Sequence, residues 1–238
     1  MISIITATYN AEKNISKLIN SLLEQTDKRF EWIIVDGNSS DNTINIINNV
    51  KNIDIKLISE KDNGIYDALN KGLKLAKYKY YLVCGSDDVL FKETVSNINK
   101  KLSYNKLYDF YAFSFIMVNK MYTPNKYFGW LYGMRGIATC HSVALLINKN
   151  LHNIYGYYNT NYPIFADQLF VLKSIHCGAK IQYCKEIVSG EYSTEGMSSI
   201  NSIDRQIEYF RMQLSSGSNF YLQFFLFTIR LLKFKFLK

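Results

Sequence analysis

The sequence predicts an α/β fold: a doubly wound, mostly parallel central sheet flanked by helices, with further helices at the C-terminus. Two observations carry that expectation. Short apolar runs alternate with segments of helical period through the first half of the chain, and those runs are apolar at consecutive positions rather than every second one. Continuous apolar strands suit a parallel sheet covered on both faces, and the intervening helices supply the crossovers that parallel pairing needs.

The first run is Met1 to Thr8, which stops in Tyr9-Asn10. From Lys13 to Gln25 the spacing of Ile15, Leu18, Ile19, Leu22 and Leu23 places them on one helical face. Trp32-Ile33-Ile34-Val35 is a second strand ending in Asp36-Gly37-Asn38-Ser39-Ser40-Asp41-Asn42-Thr43, where Ser40 or Asp41 can cap a helix containing Ile44, Ile46 and Ile47. Ile53 to Ser59 reads as the third strand and Ile65 to Ala76 as the third helix. Lys79 to Cys84 is the fourth strand, delivering Ser86-Asp87-Asp88 just ahead of a helix-like segment. Further on, Val143 to Ile147 reads as a strand, Phe165 to Ile175 as a helix, and Ser202 onward as helices.

In such a sheet ligands bind beyond the carboxyl ends of the strands, near the point where strand order reverses. Four polar clusters fall there: Thr8-Tyr9-Asn10, Asp36-Gly37-Asn38, Glu60-Lys61-Asp62-Asn63-Gly64 and Ser86-Asp87-Asp88. Together they suit a nucleotide pocket. Neither GxGxxG after the first strand nor GxxxxGK[ST] is present, so no glycine-rich loop cradles phosphates. A divalent cation would then have to neutralise them, and Asp87 with Asp88 offers the oxygen ligands that hard cations prefer. Taken alone, such a pair is more often a turn followed by a helix cap.

The segments Ser3 to Asn10, Trp32 to Thr43, Ser59 to Gly72 and Gly85 to Asp88 resemble, in order and spacing, family 2 glycosyltransferases of the GT-A fold, in particular the short bacterial enzymes of surface-polysaccharide assembly. The likeness covers roughly the first ninety residues closely and the second half more loosely. It implies that Thr8, Tyr9, Asp36 and Asp62 line the pocket for the base and ribose of a UDP- or GDP-sugar. The family's metal motif is Asp-x-Asp or a close variant. With Ser86 at its first position, Asp88 is implied as the direct ligand of Mg or Mn and Asp87 as a ribose contact. Asp167, near the start of a second-half helix, is implied as the base that deprotonates the acceptor hydroxyl for a single inverting displacement. His141 is implied beside the acceptor site. Tyr192 to Ser198 resembles a late loop that closes on the donor, with Glu195 in place of its first glycine.

The resemblance further implies one catalytic domain over 1–201, with 1–90 the nucleotide-sugar half and 91–201 the acceptor half, and a helical segment 202–238. A chain of 238 residues with 48% hydrophobic content buries a sizeable core, and no repeat or low-complexity linker divides it. Aromatic residues such as Tyr127, Phe128, Trp130 and Tyr132 are candidates for stacking on sugar rings.

The net charge of +8 suggests an anionic partner. Nucleic acid is set aside, because the lysines are spread along the chain and no helix-turn-helix, RNP or zinc-finger pattern occurs. The tail Phe220 to Lys238 carries Arg230, Lys233, Lys235 and Lys238, no acid and many aromatics. Its apolar stretch is too short to span a bilayer before Arg230, and it reads as a helix lying among anionic headgroups, the alternative being docking on the domain or on a second subunit. With the first residues already a core strand, the expected location is cytoplasmic, peripheral on the inner face of the membrane, with a lipid-linked glycan as acceptor. Cys84, Cys140, Cys177 and Cys184 lack zinc spacing and are expected to stay reduced. Two other functions fit less of the pattern. A nucleotidyltransferase would show a glycine-rich basic loop after the first strand, and a noncatalytic nucleotide or sugar binder would have lost Asp88 or Asp167.

Overall fold

The computed structural model describes residues 1–104, 106–125, 142–194 and 203–236. In chain order the elements are β1 (Ile2–Thr8), α1 (Ile15–Leu23), β2 (Phe30–Asp36), α2 (Thr43–Asn48), β3 (Asp54–Ser59), α3 (Ile65–Leu75), β4 (Tyr80–Val83), β5 (Val89–Leu90) and α4 (Thr94–Leu102). They continue with β6 (Phe110–Met117), β7 (Lys120–Tyr122), β8 (Leu145–Asn148), α5 (Leu151–Tyr155), α6 (Ala166–His176), β9 (Ile181–Glu191), α7 (Ile203–Ser215) and α8 (Phe220–Phe236).

The strands lie in one sheet in the order β3-β2-β1-β4-β8-β6-β9-β5, with β7 paired to β6. β1, β2, β3 and β4 run parallel, whereas β8 is antiparallel to both β4 and β6. The register sets Thr8 opposite Asp36, Asp36 opposite Ser59, and Ile5 opposite Val83. The polar clusters that follow these four strands therefore share one edge. The chain adds β2 and β3 on one side of β1 and β4 on the other, so strand order reverses between β1 and β4.

The consecutive apolar residues divide between two faces. Ile5, Ile33 and Val35 pack with Tyr66, Leu69 and Leu73 of α3 and with Leu169, Phe170 and Leu172 of α6. Ile4, Trp32 and Ile34 pack with Ile15, Leu18 and Leu22 of α1 and with Val95 and Ile98 of α4. Each such side chain contributes about 1.5–3 kcal/mol on burial, which is why the strands tolerate so few polar residues. α7 joins the first layer through Met212, and α8 leans on α7 through Phe227, stacked 4.9 Å from Phe210, and Arg230, 4.7 Å over the Tyr209 ring.

Three local expectations are corrected. Val143 and Ala144 sit with Ser142 in a single 3-10 turn, and the strand begins only at Leu145; the turn lets the Ser142 hydroxyl reach Asp88. Asp88 is followed by β5, which pairs with Gly190 and Glu191 of β9 before α4 starts at Thr94. The helix cap read for Ser40 or Asp41 falls on neither: Asn42 holds the N-cap position, while Asp41 Oδ1 accepts from the Thr43 N–H at 3.0 Å.

Candidate active site

At the ends of β1 and β2 two loops are zipped together. The Asn10 N–H donates to Ser39 Oγ (2.8 Å), the Ser40 N–H to Asn10 Oδ1 (2.9 Å), the Ala11 N–H to Thr43 Oγ1 (2.8 Å) and the Glu12 N–H to Asp41 Oδ2 (3.0 Å). The Asn42 N–H returns a bond to Glu12 Oε2 at 2.9 Å. Asn10 and Asn38 adopt left-handed backbone, φ 49° and 66°, a conformation asparagine tolerates better than most residues. This crosslinked frame holds up the Tyr9 ring, which is 65% exposed.

Asp36 is fully buried, and its carboxylate joins three pieces of chain: Oδ2 accepts from the Ser39 N–H (2.8 Å) and Ser59 Oγ (2.7 Å), and Oδ1 from Ser39 Oγ. Thr8 is buried beside it, and its hydroxyl has no partner among the described residues. A buried orphan hydroxyl is costly, about 1–3 kcal/mol, unless a bound molecule completes it. Gly37 brings Tyr9 and Asp62 together. A Cβ added there would stand 2.7 Å from Asp62 Oδ2 and 3.4 Å from the Tyr9 ring, so any other residue would push the Asp62 carboxylate aside. The other Asp62 oxygen accepts from the Gly64 N–H at 2.9 Å, turning the chain into α3.

The paired carboxylates differ sharply. Asp88 is 1% exposed; Oδ2 accepts from the Gly85 N–H (2.7 Å) and Ser142 Oγ (3.2 Å), and Oδ1 from the Ser193 N–H (3.0 Å). Burial pushes its carboxyl up to about 6, opposed by the two backbone bonds and reinforced by the adjacent Asp87 charge. Asp87 is half-buried and, among the described residues, receives no hydrogen bond. Both side chains turn over Gly85, where an added Cβ would lie 2.9 Å from Asp87 Oδ1 and 2.9 Å from Asp88 Oδ2. Among the described residues no group of three His, Cys, Asp or Glu side chains converges to hold a cation alone. The half-exposed Asp87 carboxylate does suit a divalent cation whose remaining ligands are phosphate oxygens and water.

Asp167 stands in the first turn of α6, half-buried. Its Oδ1 accepts from the Gln168 N–H at 2.8 Å, and the Tyr66 hydroxyl lies 2.8 Å from Oδ1 and 2.8 Å from the Ile164 carbonyl oxygen. Tyr66 lies in the first turn of α3, just after the Asp62–Gly64 turn, so this contact carries Asp167 to the same rim. Burial raises the Asp167 carboxyl above the ordinary aspartate value, against the hydrogen bond from Tyr66. His141, the aromatics Tyr127, Phe128, Trp130 and Tyr132, and the segment Glu195 to Ser198 lie outside the described residues.

Sequence reasoning missed the groups that hold these acids: Ser39 and Ser59 for Asp36, Ser142 and Ser193 for Asp88, Tyr66 for Asp167. Ser39, Ser59 and Tyr66 were the most accessible of them, because they sit inside the Trp32 to Thr43 and Ser59 to Gly72 segments that carry the resemblance.

A parallel half-sheet extended by antiparallel strands, with acidic groups gathered at its switch point, is the GT-A architecture of nucleotide-sugar-dependent glycosyltransferases. The sequence model of "Glycosyl transferase family 2" matches residues 3–155, and the chain belongs to that family. A "PGL/p-HBAD biosynthesis glycosyltransferase" of Mycobacterium bovis (strain BCG / Pasteur 1173P2) is 29% identical over 212 residues, 87% of this chain and 82% of that protein. The Escherichia coli "UDP-Glc:alpha-D-GlcNAc-diphosphoundecaprenol beta-1,3-glucosyltransferase WfaP" is 40% identical over 100 residues, 41% of this chain and 39% of that protein. Of solved structures, S. aureus TarS 1-349 in complex with UDP superposes with a TM-score of 0.72 at 24% identity, over 90% of this chain. This chain spans 64% of that structure's length, and the likeness establishes the fold.

Proposed function

We propose that this family 2 glycosyltransferase moves a sugar, with inversion, from a UDP- or GDP-linked donor to a hydroxyl of a lipid-linked glycan in bacterial surface-polysaccharide synthesis. The observation that carries the donor half is the pocket floor: an exposed Tyr9 ring facing the Asp62 carboxylate across Gly37, beside the orphaned Thr8 hydroxyl. An aromatic face suits a nucleobase, and carboxylate and hydroxyl oxygens suit base N–H and ribose O–H groups. WfaP, by its name, acts on a diphosphoundecaprenol-linked sugar, which supports the acceptor half.

In this reading Asp36 shapes the base-side loop from beneath, and Asp88 fixes the turn that presents Asp87. A bound Mg or Mn ion, held by Asp87, would supply positive charge to the departing nucleoside diphosphate. This inverts the division of labour that the family resemblance implied for the two acids, on the ground that Asp88 is buried and bonded whereas Asp87 is open. Asp167 takes the acceptor proton. Its Oδ1 is engaged by Tyr66 and Gln168, which leaves Oδ2 for the incoming hydroxyl. The acceptor oxygen bonds to the anomeric carbon as the bond from that carbon to the diphosphate oxygen breaks on the opposite face.

Calorimetric titration of the purified chain with UDP and with GDP, each with and without manganese, tests the proposal. Binding of one diphosphate that requires the metal supports it and names the nucleotide; binding of neither by folded protein rejects it. In the same assay Gly37→Ala is expected to weaken the preferred nucleotide about tenfold, or ~1.4 kcal/mol, because the new methyl drives Asp62 away from Tyr9. Affinity equal to the parent's would remove Asp62 from the nucleotide site.

For the acceptor side we propose that α8 lies in the headgroup region of an anionic leaflet. It exposes Phe220, Tyr221, Phe224, Phe225 and Leu232, and from Arg230 on the chain adds Lys233, Lys235 and Lys238 with no acid. No helix among the described residues is long and apolar enough to cross a membrane. Tyr221→Ser with Phe225→Ser should cut partitioning onto vesicles containing anionic lipid by about 100-fold, as two exposed rings of ~1.5 kcal/mol or more each are lost. Flotation that is unchanged in the double variant would make α8 a packing element.

A further inference from the structure

Glu208 of α7 is 6% exposed, a carboxylate buried far along the chain from every cluster discussed above. Burying such a group is costly unless it is bonded, and here Oε1 accepts from two consecutive backbone amides, those of Ile164 and Phe165, each at 2.8 Å. These amides lie immediately before α6, whose N-cap is Phe165 and whose second residue is Asp167. In a capping box a glutamate within the helix reaches back to the N-cap N–H; here a glutamate from another helix does so, with its charge toward the positive end of α6.

The surrounding contacts aim at the same turn. Tyr209 stands edge-on to the Phe165 ring at 5.3 Å, the Arg205 guanidinium lies 5.6 Å over that ring, and Ser215 Oγ is 2.7 Å from the Tyr162 hydroxyl. From the opposite side, Tyr66 of α3 reaches the Ile164 carbonyl and Asp167 Oδ1. Ile164 is thus held at both ends of its backbone, N–H by Glu208 and C=O by Tyr66. The Tyr66 hydroxyl has one proton for two acceptors, so whatever fixes the Ile164 carbonyl also fixes the bond that Asp167 receives.

We infer that Glu208 is a positioning residue of this glycosyltransferase, clamping the Ile164–Asp167 turn so that Asp167 Oδ2 faces the acceptor hydroxyl. The inference rests on the reading of Asp167 as the base and gives α7, which lies beyond the stretch matched to the family, a part in the reaction. It has an electrostatic corollary. The titratable groups recorded around Asp167 are Tyr66 on α3, Tyr81 on β4, Tyr158 ahead of α6 and Glu208 on α7. Burial keeps the three phenols protonated, and they carry no charge at neutral pH. Glu208 supplies the like charge that joins burial in raising the Asp167 carboxyl.

The test is a carboxyl carbon-13 NMR titration of the full chain labelled at aspartate, the Asp167 resonance being identified by its loss in Asp167→Asn. Glu208→Gln keeps the length and an accepting oxygen, and should lower the Asp167 midpoint as the like charge disappears. Glu208→Ala also loses both amide bonds; it should lower turnover of the donor named by calorimetry about tenfold or more, with affinity for that nucleotide diphosphate unchanged. A midpoint in Glu208→Gln that matches the parent's, or full turnover in folded Glu208→Ala, overturns the inference. Failure of the underlying reading looks different: Asp167→Asn would then keep its turnover, whatever the titration of the Glu208 variants shows.

Discussion

Asp167→Asn is expected to lower the turnover number by about 10²–10⁴-fold while leaving nucleotide affinity within twofold or so of the parent's. Asparagine keeps the shape and an oxygen to accept from Tyr66 and the Gln168 N–H, so the turn survives and only the proton acceptor is lost. The pH dependence follows from the raised carboxyl of Asp167, whose first cause is burial. A base works only when ionised. The acid limb of the turnover profile should therefore lie above the range near 4 of an ordinary aspartate, and activity should fall as pH drops through the raised value. The linked effect on stability has the opposite sense. The folded protein holds this proton more tightly than the unfolded chain, so the group favours folding at low pH and loses that contribution as pH rises through its folded value. At neutral pH, Asp167→Asn should be at least as resistant to thermal unfolding as the parent. A variant that turns over normally, or one that is inactive because it has unfolded, would both contradict this account.

The second large effect separates the two acids of the 85–88 turn. Asp87→Asn should weaken manganese-dependent binding of the nucleotide about 100-fold, consistent with loss of a charged ligand, at unchanged melting temperature. Asp88→Asn should also abolish transfer, but by another route. Its amide nitrogen must face either the Gly85 N–H or the Ser193 N–H, donor against donor, and one of those contacts opens. Faster amide exchange at Ser193 or Gly85, with manganese dependence largely kept, is the expected signature. Loss of manganese dependence in Asp88→Asn with amide exchange unaltered would return the metal to Asp88, as the family resemblance implied.

The fold class was legible because the information is local. Ile4 with Ile5 and Ile33 with Ile34 show both sheet faces covered, and the period of Ile15, Leu18, Ile19 and Leu22 shows a helix with one buried face. The residues gathered at the rim were legible for the same reason, since each follows its own strand. What each acid does was not. Asp36, Asp62, Asp87 and Asp88 look alike in sequence, and only tertiary partners separate the buried ones from the open ones. Those partners are single serines and one tyrosine: Ser59 for Asp36, Ser142 and Ser193 for Asp88, Tyr66 for Asp167. A single hydroxyl or amide brought in from elsewhere in the chain has no periodicity or spacing that would announce it. The same is true of Glu208, an acid on a helix that the sequence alone would leave in solvent.

The bond from the Ser193 N–H to Asp88 also bears on when a growing chain becomes competent. The rim residues of β1, β2, β3 and β4 all leave the ribosome early, but one anchor of their carboxylate turn is made about a hundred residues later, as is β9, the partner of β5. At ~5–20 residues per second, a nascent chain carries that turn incomplete for on the order of ten seconds. Through that interval the first ninety residues hold the groups of the proposed donor pocket without the support that distinguishes Asp88 from Asp87. Nucleotide capture and the completed sheet should therefore arrive together, once β9 and Ser193 have been made, rather than the first preparing the second.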